Sequence, residues 1–339
     1  METIKKIPYS ILELALIVSG STVADTLKDT VELAQKAEEM GYNRIWLAEH
    51  HNTVTIASSA TAVLIGHVAS NTKKIRVGSG GIMLPNHAPL IIAEQFGTLG
   101  TLYPNRIDLG LGRAPGTDQV TAKAIRSDHM QSSNNFPGEV ELLQNYFSKK
   151  NRDGAVRAIV AEGVSLPIYI LGSSTDSAHL AAKMGLPYVF ASHFSPRHLF
   201  DALRIYRTEF QPSEYLDKPY IIAGLNIVAA KTETDAEEQF TSQLRFYAGI
   251  LSGRIDQLKP PVSVNDELKM LRQHPAVQEM LKYSFVGTKE TITTQIQDFL
   301  TETEVDELMV VSYIYDREVR LASYHLISEI MNDLNLDCY

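Results

Sequence analysis

Arg44-Ile-Trp-Leu-Ala-Glu-His-His51 and Arg76-Val-Gly-Ser-Gly-Gly-Ile-Met-Leu-Pro85 each open as a buried apolar strand and run without a linker into residues unsuited to one. The first gives way to an acidic and imidazole cluster, the second to a glycine pair. Polar chemistry is thus loaded onto strand C-terminal ends. In parallel α/β proteins active sites are built at that edge, because loops there vary while the packed sheet holds them.

Working outward, the same unit recurs. Ile11–Val18 is a near-continuous apolar run ending at Ser19-Gly20, and Thr26–Met40 carries Leu27, Val31, Ala34 and Ala37 at helical spacing, with Gly41 as the stop. Asn43-Arg-Ile, Lys74-Ile-Arg and Asn105-Arg-Ile open three further strands, about 30 residues apart, the size of a strand plus its return helix. Strands at Pro167–Gly172, Tyr188–Phe190, Ile221–Ala230 and Glu307–Ser312 precede helices at Ser177–Met184, Pro196–Phe210, from about Thr234, and Glu318–Leu334. Thr234-Asp-Ala-Glu237 reads as a capping box. The count reaches eight strands, which closes a (β/α)8 TIM barrel. Two connections, Ala124–Ser165 after strand four and Ser252–Val286 after strand seven, are too long for simple loops and read as coverings of a substrate mouth, the second as a lid.

The chain has 339 residues and is 44% hydrophobic, enough for a large core, and no linker interrupts it, so residues 1–339 read as one domain. Net charge is −9 with dispersed basic residues, which argues against nucleic acid and anionic membranes and for a small-molecule substrate. The lone cysteine, Cys338, excludes a disulfide framework or thiolate metal site. Met1–Pro8 lacks a signal-peptide pattern and no stretch would span a bilayer, so the expected location is the cytoplasm.

The strand-end residues have competing readings. His50 and His51 are adjacent, so in an extended strand they point to opposite faces, unlike a metal-binding pair. A metal site, as in a metal-dependent barrel hydrolase, one acid-base or hydrogen-bonding histidine, and a structural pair all remain, the adjacency weighing against the first. Gly80-Gly81 is either an ordinary turn or bare backbone against which a flat ligand lies, in a kinked or bulged strand. Gly110-Leu-Gly-Arg-Ala-Pro-Gly116 has its third glycine one place late for a dinucleotide fingerprint. What it offers is Arg113, an anion partner. Gly172-Ser-Ser-Thr-Asp-Ser177 sets hydroxyls at a helix N-terminus, a phosphate-sized site beyond plain capping.

These stretches, with Ala93-Glu-Gln-Phe96 and Gly185-Leu-Pro187, resemble the bacterial luciferase-like, flavin-dependent monooxygenases, densely over residues 10–120 and again near 166–195. The resemblance implies a (β/α)8 barrel that takes reduced FMN as co-substrate from a separate flavin reductase and uses molecular oxygen on an organic substrate. By position it makes His50 the catalytic histidine with Glu49 its neighbour. It puts a cis peptide at Gly80-Gly81 under the flavin ring, and the phosphate on Arg113, Ser173, Ser174 and Ser177. Gly112 stands where true luciferase carries a reactive cysteine, so light emission is not implied. The same fold also serves deazaflavin-dependent hydride transferases and flavin-binding proteins without turnover, and its members commonly pair as homodimers. Strand alternation further predicts that His51 packs between strand and helix, away from the site.

Overall fold

The computed structural model describes residues 6–336; Cys338 and the first five residues, on which the thiol reading and part of the N-terminal reading rest, lie outside the described residues. Among the described residues there are nine strands: β1 (Tyr9–Glu13), β2 (Arg44–Leu47), β3 (Arg76–Met83), β4 (Ile107–Gly112), β5 (Ile168–Gly172), β6 (Tyr188–Phe190), β7 (Ile221–Ala229), β8 (Ser284–Gly287) and β9 (Glu307–Val311). Strands β1 to β7 pair in sequence order, β7 pairs with β9 and β9 returns to β1, all in parallel. This is a closed (β/α)8 barrel.

Alternation explains why its strands read as unbroken apolar runs. In β9, Leu308 and Val310 pack outward with the helices while Met309 and Val311 join a second, inner cluster. Both faces are covered, so neither can be polar. The N-terminal end of the barrel interior is closed by ions instead. Arg44 donates to Glu307 and Asp108 at 2.8 Å each and to the Tyr169 hydroxyl at 2.6 Å, and Trp46 Nε1 donates to Asp108 at 2.9 Å. The opposite, C-terminal end is left for the cavity.

Several expectations need correction. β1 ends at Glu13, not Val18, and the chain leaves the strand with Ala15 at φ 54. Leu16 and Val18 survive only as isolated bridges to Ile56 and Leu258. β8 is an additional strand: β9 occupies Ile222–Asn226 of β7, and the free half, Asn226–Ala229, pairs with Ser284–Gly287. It closes the long connection that the sequence reads as a covering. The helix Glu233–Leu251 is capped by Thr232, whose hydroxyl accepts from Asp235 N at 3.1 Å, so the cap lies two residues before Thr234.

The connection from β4 to β5 holds helices Gln119–Ile125, His129–Asn134 and Phe136–Phe147, the last packed on Pro89–Leu102. Between β7 and β9 lie Glu233–Leu251, two short helices, Asp266–Gln273 and Pro275–Met280, then β8 and Lys289–Thr303. No helix among the described residues is long and apolar enough to cross a membrane.

Candidate functional site

A cavity of about 1330 Å³ opens at the C-terminal ends of the strands, and His50, Gly80, Gly81, Arg113, Ser173, Ser174 and Ser177 all line it. Glu49 does not. Its carboxylate is fully buried behind the wall, where Oε1 meets Nε2 of both His51 and His87 at 2.9 Å and Oε2 accepts from Met83 N at 3.1 Å. Burial alone would raise the Glu49 pKa. The bonds from His51 and His87, the His87 charge and the Met83 N–H outweigh it and hold the group at about 2.

His51 therefore is not packed between strand and helix. β2 stops at Leu47, and the alternation of faces stops with it, so His51 and His50 both reach the cavity wall. His50 is held through its main chain, whose N–H donates to Ser58 O at 3.0 Å. Its Nδ1 is buried without a partner, and burial lowers its pKa against the opposing pull of Glu49. His50 is thus a neutral imidazole, whereas His51 is the one oriented by Glu49.

The glycines are demanded from beneath. A Cβ on Gly80 would lie 2.6 Å from Leu12 Cδ1, and one on Gly81 would lie 2.7 Å from Gly110 O. Side chains there would collide with the barrel interior, and the cavity meets backbone for that reason. The peptide joining them is cis, and the β3/β4 register shifts between Ser79 and Ile82, the expected bulge. Gly116, at φ +62, passes so close to Glu49 that its Cβ would sit 2.7 Å from the Glu49 carbonyl oxygen.

An anion fits the far corner. Helix Thr175–Met184 begins after Ser174, which gives no side-chain cap, so its first N–H groups have no acceptor from that side chain. Among the described residues the hydroxyls of Ser173 and Ser174 make no hydrogen bond, and Arg113 pairs with the exposed Asp176 at 3.3 Å. Ser177 differs: its hydroxyl donates to Ser174 O at 2.8 Å and lies 3.1 Å from the Tyr188 hydroxyl, bracing the turn.

A family model described as luciferase-like monooxygenase matches residues 12–307. The chain belongs to the luciferase-like monooxygenase family. It is 46% identical over 332 residues to an Escherichia coli protein described as a luciferase-like monooxygenase, covering 98% of this chain and 99% of that one. With the N-acetyl-S-alkylcysteine monooxygenase of Bacillus subtilis it shares 33% identity over 329 residues, 95% of this chain and 98% of that protein. Among solved structures, apo-MsnO8 superposes with a TM-score of 0.87 at 32% identity, covering 96% and 98% of the two chains. The FMN complex of the oxygenating constituent of 3,6-diketocamphane monooxygenase from Pseudomonas putida shares the fold, with a TM-score of 0.73 at 16% identity over 96% and 97%.

In this member of the luciferase-like monooxygenase family the local sequence leaves three groups at the site unmarked. His87 and Asn86, from the turn after β3, complete the setting of Glu49, but nothing local marks their partner 38 and 37 residues away. His193 follows β6 as His50 follows β2, and the rule that polar residues at strand ends form the site would have found it. Burial pushes its pKa down to about 4.

Proposed function

We propose that the chain is a flavin-dependent monooxygenase that uses reduced FMN, delivered by a separate reductase, and molecular oxygen to oxygenate a small organic substrate. One observation carries this reading: the anion corner, the Gly80-Gly81 backbone and the neutral His50 share a single cavity. Arg113, Ser173, Ser174 and the helix N–H groups would hold the phosphate, with Ser177 bracing the turn, and Gly80-Gly81 would support the ring. When bound, the reduced flavin supplies the electrons that activate oxygen.

The protein's own part is positioning and proton handling. With Nδ1 buried and partnerless, the His50 proton rests on Nε2, from which it can be donated into the cavity. Glu49 acts as a positioning residue: it accepts from His51 Nε2, which leaves His51 Nδ1 as the acceptor nitrogen. The two long connections shield the cavity from water. The working form is proposed to be a homodimer, and light scattering that shows monomer alone would remove that part.

The test is aerobic turnover with reduced FMN supplied by an unrelated reductase, under ¹⁸O₂, scoring labelled product against released hydrogen peroxide. Label in the product supports the reading. Binding of FMN with peroxide as the sole outcome across a broad substrate panel would favour a protein without turnover. Oxidation of a substrate by deazaflavin without oxygen uptake would replace the reading with hydride transfer.

A further inference from the structure

The cavity extends well beyond the anion corner. Arg113 follows β4 and Ser173 follows β5, whereas Tyr313 follows β9 and Leu14 follows β1, across the barrel. Phe246, Tyr247 and Ile250 from helix Glu233–Leu251, with Ile255, Tyr313 and Val54, make this second lobe apolar. Apart from imidazoles, the charged groups lining the whole cavity are Arg113, Asp118 and Asp176. Asp118 caps helix Gln119–Ile125 through Val120 N and Thr121 N, and Arg113 and Asp176 belong to the anion corner. Among the described residues no lysine or second arginine lines the cavity to meet an anionic substrate.

His193 stands at the edge of this lobe with unusually fixed geometry. Its carbonyl accepts from Asn226 Nδ2 and from the Tyr247 hydroxyl, so β7 and the following helix pin its main chain. Its ring lies over Gly224, where a Cβ would fall 2.3 Å from Nδ1. Nδ1 is buried and has no partner, while the residue as a whole is half-buried and lines the cavity. A proton on Nδ1 would bury an unsatisfied N–H, the rarer defect, so the proton sits on Nε2 and points a donor into the cavity.

We infer that the apolar lobe is the substrate subsite, that it takes a neutral, largely apolar molecule carrying one hydrogen-bond acceptor, and that His193 Nε2–H meets that acceptor. The inference rests on the flavin reading in one respect: the flavin phosphate occupies Arg113, which removes the one guanidinium from substrate recognition. His193 then selects among apolar ligands by requiring an acceptor, since a buried donor left unpaired is costly.

Calorimetric titration of the full chain, with and without FMN, tests this using three isosteric probes: a phenylbutanone, phenylpropanoate and butylbenzene. With FMN present, the ketone is expected to bind at least about tenfold tighter than the carboxylate and about three- to tenfold tighter than the hydrocarbon, the range of one net hydrogen bond. His193→Phe should abolish the margin of ketone over hydrocarbon and leave hydrocarbon binding unchanged. His193→Gln, which keeps an N–H donor, should retain part of it, and decides the matter together with the wild-type series should the Phe variant fail to fold. Carboxylate binding as tight as ketone, a margin unaffected by both variants, or no binding of any probe beside bound FMN would overturn the inference. Absence of FMN binding while the ketone margin persists strikes the flavin reading instead and leaves the role of His193 standing.

Discussion

Replacing Glu49 by Gln removes the charge around which one wall of the cavity is arranged. The folded carboxyl titrates at about 2 against an ordinary 4.5, which corresponds to roughly 3 kcal/mol of preference for the ionised form in the folded state. Because the folded pKa is depressed, this stabilisation is fully present above 4.5 and is lost as pH falls towards 2. Gln stands in for the protonated acid and cannot accept from His51 and His87 together through one oxygen while serving Met83 N through the other. At pH 7 Glu49→Gln should therefore cost on the order of 3 kcal/mol, or about 4 °C in Tm for a chain of this size. Thermal unfolding followed by circular dichroism from pH 7 down to pH 3 provides the assay, and the gap between the two proteins should narrow only below pH 4.5. A gap under about 1 kcal/mol at pH 7, or one indifferent to pH, would refute the account of Glu49 as an ionised hub.

Arg113→Ala should weaken FMN binding by roughly 1.5–3 kcal/mol without unfolding the chain, the scale of a hydrogen bond to a charged group; Asp176→Asn, which frees the guanidinium from its partner, should tighten it, and fluorescence titration reads both. His50→Ala should leave FMN binding nearly intact and lower the ratio of oxygenated product to hydrogen peroxide by about 10²–10⁴. In the wild type that ratio should hold down to and below pH 6.5, because burial keeps His50 neutral there; a fall beginning above 6.5 would contradict its lowered pKa. Arg44→Met leaves Glu307 buried without its cation, while Asp108 keeps Arg76, and should destabilise the fold by about 3–5 kcal/mol, measurable as a lower urea midpoint. Hydrogen exchange should be fast at Lys259, Ser263 and Val264 yet slow at Leu258 and Val262, whose N–H groups donate to Ile17 O and Thr241 Oγ1, and should slow at the fast positions when flavin and substrate bind; uniform protection in the free protein would exclude a lid.

Local sequence carried the barrel and the edge at which its site lies. Apolar runs of strand length, helical spacing between them and polar residues at their ends are set by neighbours within a turn or two, so periodicity exposed them. The same reading brought His50, Gly80, Gly81, Arg113, Ser173, Ser174 and Ser177 to one cavity. Partner choice was decided by the tertiary structure, because closing the barrel juxtaposes residues that no local pattern links. Asn43-Arg44 and Asn105-Arg106 look alike in sequence, yet Arg44 turns inward to Glu307, 263 residues away, while Arg106 turns out to the carbonyls of Ala69, Thr72 and Ile75. Glu49 reads as the neighbour of a catalytic histidine and becomes the anchor of His51 and His87 once β2 ends two residues before it. The glycine pair was legible as a bare surface, but its cause, collision with Leu12 and Gly110 below, exists only when β1, β3 and β4 lie side by side.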